Sequence, residues 1–153
     1  MPRPAAFLVA ALLTVAVSAT ALAQDANAQL NNVMAQYLRL WNAHDAATIV
    51  DRIYRLEPTH PWATKEGLKA EFDRLKAQGY SHSDIHGLSA CMTGPDTGQV
   101  ELRFARLKTD GTAMPPGDRL SIYRLKQFSD GWRVVGMGGG NLQTGMTCPG
   151  GAP

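Results

Sequence analysis

His82, Asp84 and His86 alternate along an apolar-polar stretch, and two imidazoles with one carboxylate on one strand face are the residue types of a metal triad. Strand geometry limits the idea. At about 3.3 Å per residue the two imidazoles stand roughly 13 Å apart, whereas each must come within about 2.1 Å of a shared metal. One strand cannot supply all three ligands, so no metal is expected, although His82 with Asp84 could contribute with help from elsewhere. Solvated positions at a sheet edge explain the three residues more simply. If their face lines a cavity instead, His82 becomes a polar anchor for a ligand.

Trp41, Trp62, Tyr80 and Tyr123 are the aromatic residues expected nearest such a cavity, because ligand sites combine apolar walls with a few placed polar groups. Plain core packing is the alternative for each. Arg103 and Arg106 could offer a cation to an acidic ligand, but an exposed sheet face with Glu101 nearby explains them equally well. The triplet Gly138-Gly139-Gly140 is not a phosphate loop, since no helix follows to receive the anion, and no other cofactor motif is present. Cys91 and Cys148 are an even pair, 57 positions apart, which an oxidising compartment would allow to bridge. Such a loop closure is worth about 4 kcal/mol in the chain-entropy picture, and two unpaired thiols are the alternative.

The elements that must position these groups follow from periodicity. Leu30, Val33, Met34, Tyr37, Leu40 and Trp41 recur at spacings of three and four and predict an amphipathic helix. Asn42-Ala43-His44-Asp45 interrupts it, and Asp45 is placed to cap a shorter second helix that carries Ile49, Val50, Ile53 and Tyr54 inward. Pro58 and Pro61 break the pattern. Thr64 then caps a third helix with Leu68, Phe72 and Leu75 on one stripe and Gly79 at its end. From Tyr80 the period shifts toward two, with turn signals at residues 94–98, Asp110-Gly111 and Asp130-Gly131 between the runs. Helices followed by an antiparallel meander predict an α+β layer fold.

This order, and above all residues 37–50, Tyr-Leu-Arg-Leu-Trp-Asn-Ala-His-Asp-Ala-Ala-Thr-Ile-Val, resembles the nuclear transport factor 2-like (SnoaL-like) superfamily over roughly residues 29–137. Thr64-Lys65-Glu66-Gly67-Leu68 and Asp130-Gly131-Trp132-Arg133-Val134 support the resemblance. It implies a cone-shaped fold with three N-terminal helices packed on a curved antiparallel sheet. It leaves function open, because isomerases, dehydratases, hydrolases, cyclases and non-catalytic binding modules share that cone. Tyr37 stands where the superfamily's ketosteroid isomerases place an oxyanion-donating tyrosine. Where those enzymes carry an Asp base, this chain reads Glu57-Pro58-Thr59-His60-Pro61-Trp62, so His60 is the nearest general base and Glu57 the next. A core tyrosine with a satisfied hydroxyl is the plainer account of Tyr37.

Residues 1–23 read as a secretory signal: a short basic start, an apolar run too short to span a bilayer, and Ala21-Leu22-Ala23 as the cleavage pattern. The expected organisation is therefore a signal at 1–23, one domain at 24–140 and a flexible tail at 141–153. Residues 136–153 hold seven glycines and two prolines. The 130 residues beginning at Gln24 carry a net charge of +1, with basic groups scattered among acids, which argues against nucleic acid as a partner. No membrane span is expected after cleavage. The reading is a secreted or periplasmic module that binds an apolar small molecule in the cone. The alternatives are a cone-pocket enzyme using Tyr37 and His60, and a structural homodimer or envelope-assembly partner with a filled cone and an exposed apolar sheet patch.

Overall fold

A computed structural model describes residues 13–146, with side-chain surroundings from Gln24 onward. The stripe of Leu30, Met34, Tyr37 and Trp41 is buried on one side of α1 (Leu13–Asn42), which passes without interruption through the boundary expected after Ala23. At its end His44 takes a left-handed conformation, φ 56°, and turns the chain back. Asp45 then caps α2 (Ala46–Thr48), its carboxylate accepting from the Thr48 N–H at 3.0 Å. The second helix is shorter than its apolar residues suggest, because after three residues it widens into a π turn at Ile49–Ile53 that buries Ile49 and Ile53. A 3₁₀ turn at Pro61–Ala63 leads to α3 (Lys65–Ala77), where the Thr64 hydroxyl accepts from the Gly67 N–H and Leu68, Phe72 and Leu75 face the core.

Four strands follow as a meander, β1 (Tyr80–Gly94), β2 (Thr97–Lys108), β3 (Ala113–Phe128) and β4 (Gly131–Gly139), paired antiparallel in chain order. Register shifts interrupt every strand pair, for instance between Tyr80 and His82 and between Arg124 and Leu125. Bulges of this kind bend strands and increase their twist, and here they curl the sheet around the helices. On β2 the residues Val100, Leu102 and Phe104 face the helices, while Glu101 and Arg103 point to the other side. Gly98 lets α1 approach closely, since a Cβ there would stand 2.4 Å from the Leu30 Cδ1. Helices on the concave face of a curved antiparallel sheet make the α+β cone expected from the order of elements.

Residues 141–146 fold back over the outer face of β2, where the Met146 N–H donates to the Glu101 carboxylate and Arg103 reaches the Leu142 carbonyl. The Cys91–Cys148 pairing lies outside the described residues, because Cys148 does; Cys91 is buried on β1, and no cysteine among the described residues is free. Among those residues no helix is long and apolar enough to cross a membrane.

Candidate functional site

The helices do not fill the cone. A cavity of about 220 Å³ remains between α1, the 3₁₀ turn and the concave face of β2, β3 and β4. Its walls are apolar and aromatic: Leu38 and Trp41 from α1, Trp62 from the 3₁₀ turn, Leu102 and Phe104 from β2, and Met137 from β4. Trp41 and Trp62 pack ring to ring with centroids 5.6 Å apart, and Trp41 also meets Phe72 edge-on at 4.8 Å, so α3 holds the indole wall in place.

Polar groups also enter this lining. Tyr37 sits at its base and receives hydrogen bonds from the hydroxyls of Tyr54 and Tyr123, each at 3.3 Å. Burial, with the two neighbouring phenols next, raises the Tyr37 pKa well above 10, so this hydroxyl is a hydrogen-bond donor that does not give up its proton. Ser83 is fixed from two sides. The Asn42 side chain clamps its backbone, with N–H to Oδ1 at 2.9 Å and Nδ2 to the carbonyl at 3.0 Å. Its hydroxyl meets Tyr80 Oη at 2.9 Å, which in turn accepts from Trp41 Nε1 at 3.0 Å. Ser121 and Arg106 complete the set.

Of the residues singled out by sequence, Tyr37, Trp41, Trp62 and Tyr123 come together around this cavity, and Tyr80 stands one hydrogen bond behind it. His82 does not join them. Plain alternation from Tyr80 would carry it to the same face, but the bulge between the two residues sends Ser83 inward and leaves His82 exposed beside Ser81. His60 is not among the lining residues either: its Nδ1 accepts the Trp62 N–H at 3.0 Å and caps the 3₁₀ turn. The ring nitrogen able to take a proton is thus engaged by backbone, and the remaining nitrogen carries the hydrogen. Glu57 is exposed. His86 pairs with Asp118 at 2.9 Å, and no group of three potential metal ligands occurs among the described residues.

Ser83 and Ser121 belong to the site without having been singled out by sequence, and of the two arginines weighed as a cation for an acidic ligand, Arg106 lines the cavity and Arg103 does not. Val100, Leu102, Phe104 and Arg106 share one parity on β2, whereas Glu101 and Arg103 share the other. Ser83 carries no such signal, since its direction depends on the bulge after Tyr80, whereas Ser121 shares the parity of Tyr123 on β3.

A small curved-sheet cone with a partly filled interior defines the class. The chain belongs to the family described as NTF2-like protein (DUF6841), which matches residues 19–141. Solved structures agree on the fold. An NTF2-like protein with a cystatin-like fold from Novosphingobium aromaticivorans has a TM-score of 0.57 at 16% identity, covering 90% of this chain and 94% of that one. Aln2 from a Streptomyces species has a TM-score of 0.54 at 12% identity, covering 72% and 85%. A ketosteroid isomerase-like protein from Erwinia carotovora atroseptica has a TM-score of 0.50 at 16% identity, covering 72% and 91%. At these identities the likeness is one of fold. Comparison with curated proteins finds no match.

Proposed function

We propose that this protein is an exported small-molecule-binding module whose ligand occupies the cone. One observation carries the binding reading: the cavity is lined by aromatic and apolar side chains with hydroxyl donors and one arginine, and neither a carboxylate nor an imidazole is among its described lining residues. Proton-transfer chemistry on an apolar substrate needs a base within hydrogen-bond reach of the reacting atom. The lining supplies hydroxyls and a guanidinium in place of such a base, so Tyr37 is suited to hold a ligand carbonyl, and His60 is committed to its backbone cap. A structural partner with a filled cone fits less well, because space remains inside and the large exposed hydrophobics among the described residues are Ile85 and Leu142 alone. Export rests on the signal-like character of residues 1–23.

The neutral dye N-phenyl-1-naphthylamine tests the site. Stoichiometric binding with quenching of the tryptophan fluorescence is expected, lost in Ser121→Leu, which fills the cavity, and kept in Arg124→Leu, which changes an exposed position. Equal binding by both variants, or none by the parent protein, would overturn the proposal.

A further inference from the structure

Four arginines among the described residues are half-buried, and they divide into two kinds. Arg103 has Glu101 at 2.7 Å and Arg133 has Asp130 at 2.9 Å. Arg106 and Arg119 have no carboxylate partner among the described residues, and the Nε of each is buried without any hydrogen bond. Arg119 donates to the Pro115 carbonyl through its other nitrogen. The two are close enough that the charge of Arg106, after burial itself, lowers the pKa of Arg119. Both line a depression that shares Phe104, Arg106, Ser121 and Gly139 with the cone cavity, so the apolar interior continues into a mouth bearing two guanidinium groups. Asp118 also borders this depression, but His86 holds it at 2.9 Å.

Two guanidinium groups that are partly desolvated, mutually repelling and short of acceptors are a costly arrangement in the unliganded protein. An anion at the mouth removes that cost, and a planar carboxylate matches the forked donors of arginine. From the juxtaposition of the apolar cavity with Arg106 and Arg119 we infer that the ligand is an organic monocarboxylic acid, its ring or chain in the cone and its carboxylate between these two side chains. This rests on the cone being the ligand site and names the chemical class that the site takes.

The test is a matched pair of probes, 2-naphthoate and the isosteric neutral 2-naphthamide, titrated by calorimetry into the full chain. Naphthoate is expected to bind at least tenfold more tightly. Arg106→Gln and Arg119→Gln should each abolish most of that preference, with an unchanged circular dichroism spectrum and urea midpoint showing that the variants remain folded. Arg106→Lys should restore part of it, since the charge returns without the fork. Arg124→Gln, at an exposed position, should change nothing. Equal affinity for the two probes, or a preference that survives both glutamine variants, would overturn the acid inference and leave the cone as a neutral site. Failure of both probes together with N-phenyl-1-naphthylamine would instead remove the cone as the ligand site, and this inference with it.

Discussion

Tyr37 accepts two hydrogen bonds from phenols that are themselves buried, so its hydroxyl oxygen is the hub on which Tyr54 and Tyr123 depend. Tyr37→Phe leaves both donors without that acceptor in a dry place and should cost about 1–3 kcal/mol of stability, whereas Tyr54→Phe removes one donor and should cost about 1 kcal/mol. Urea denaturation of the two variants decides the matter, and equal losses would mean that ring packing, not the hydroxyl hub, holds the base of the cone. His44 provides a second residue-scale expectation. Its ring packs between Phe72 and Tyr80, its Nε2 is buried without a partner, and burial, followed by the charge of Lys76, lowers its pKa from 6.5. The folded state therefore binds fewer protons than the unfolded chain. Its contribution is complete above about pH 6.5 and is lost as the pH falls below that value toward the lower folded pKa. Asn tolerates the left-handed backbone at this position, so the stability difference between the parent protein and His44→Asn should shrink between pH 7.5 and pH 5. A difference that stays constant across that range would show that His44 titrates alike in both states.

At the scale of elements, the 3₁₀ turn that presents Trp62 to the cavity depends on Gly67 in the first turn of α3. A Cβ at Gly67 would lie 1.8 Å from the Pro61 carbonyl oxygen. Alanine would favour the helix by about 1 kcal/mol over glycine. Displacing a backbone carbonyl costs more, about 1–3 kcal/mol, so the clash should decide the sign. Gly67→Ala is expected to lower stability and to weaken dye binding together, by shifting Pro61 and Trp62; a variant as stable as the parent would mean that the turn moves freely. The helices and strands themselves were legible in the sequence, because three-and-four spacing, the Asp45 and Thr64 caps and the Gly turns all act over a few residues. What stayed hidden were the irregularities. The widening of α2 into a π turn and the bulge after Tyr80 arise from packing against distant segments, as where Tyr54 bridges to Val134, and that bulge exchanged His82 for Ser83 on the inner face. Arg106 went unseparated from Arg103 for a different reason: parity along β2 was available, and the shared residue type obscured it.

For the whole molecule, the helices cover the inner face of the sheet, and residues 141–146 lie across β2 on the outer face. A glycine-rich stretch reads as linker from composition alone, because its docking depends on a carboxylate far upstream on the outward side of a strand. Glu101 is that carboxylate. It is 8% exposed, and the Arg103 Nε at 2.7 Å and the Met146 N–H supply the donors that a buried anion requires. Gly145 makes the approach possible, with φ 64° and a backbone so close that a Cβ would stand 2.9 Å from Glu101 Oε2. Gly145→Ala must therefore adopt a strained left-handed backbone, at about 1 kcal/mol, and crowd the carboxylate as well. The expected outcome is a loss of about 1–2 kcal/mol in urea denaturation together with faster hydrogen exchange at the Met146 amide, because the segment lifts from the sheet and Glu101 falls back on Arg103 alone. Unchanged exchange at Met146 would mean that the segment is anchored by something other than Glu101, and unchanged stability would mean that the outer cover adds nothing to the fold beneath it.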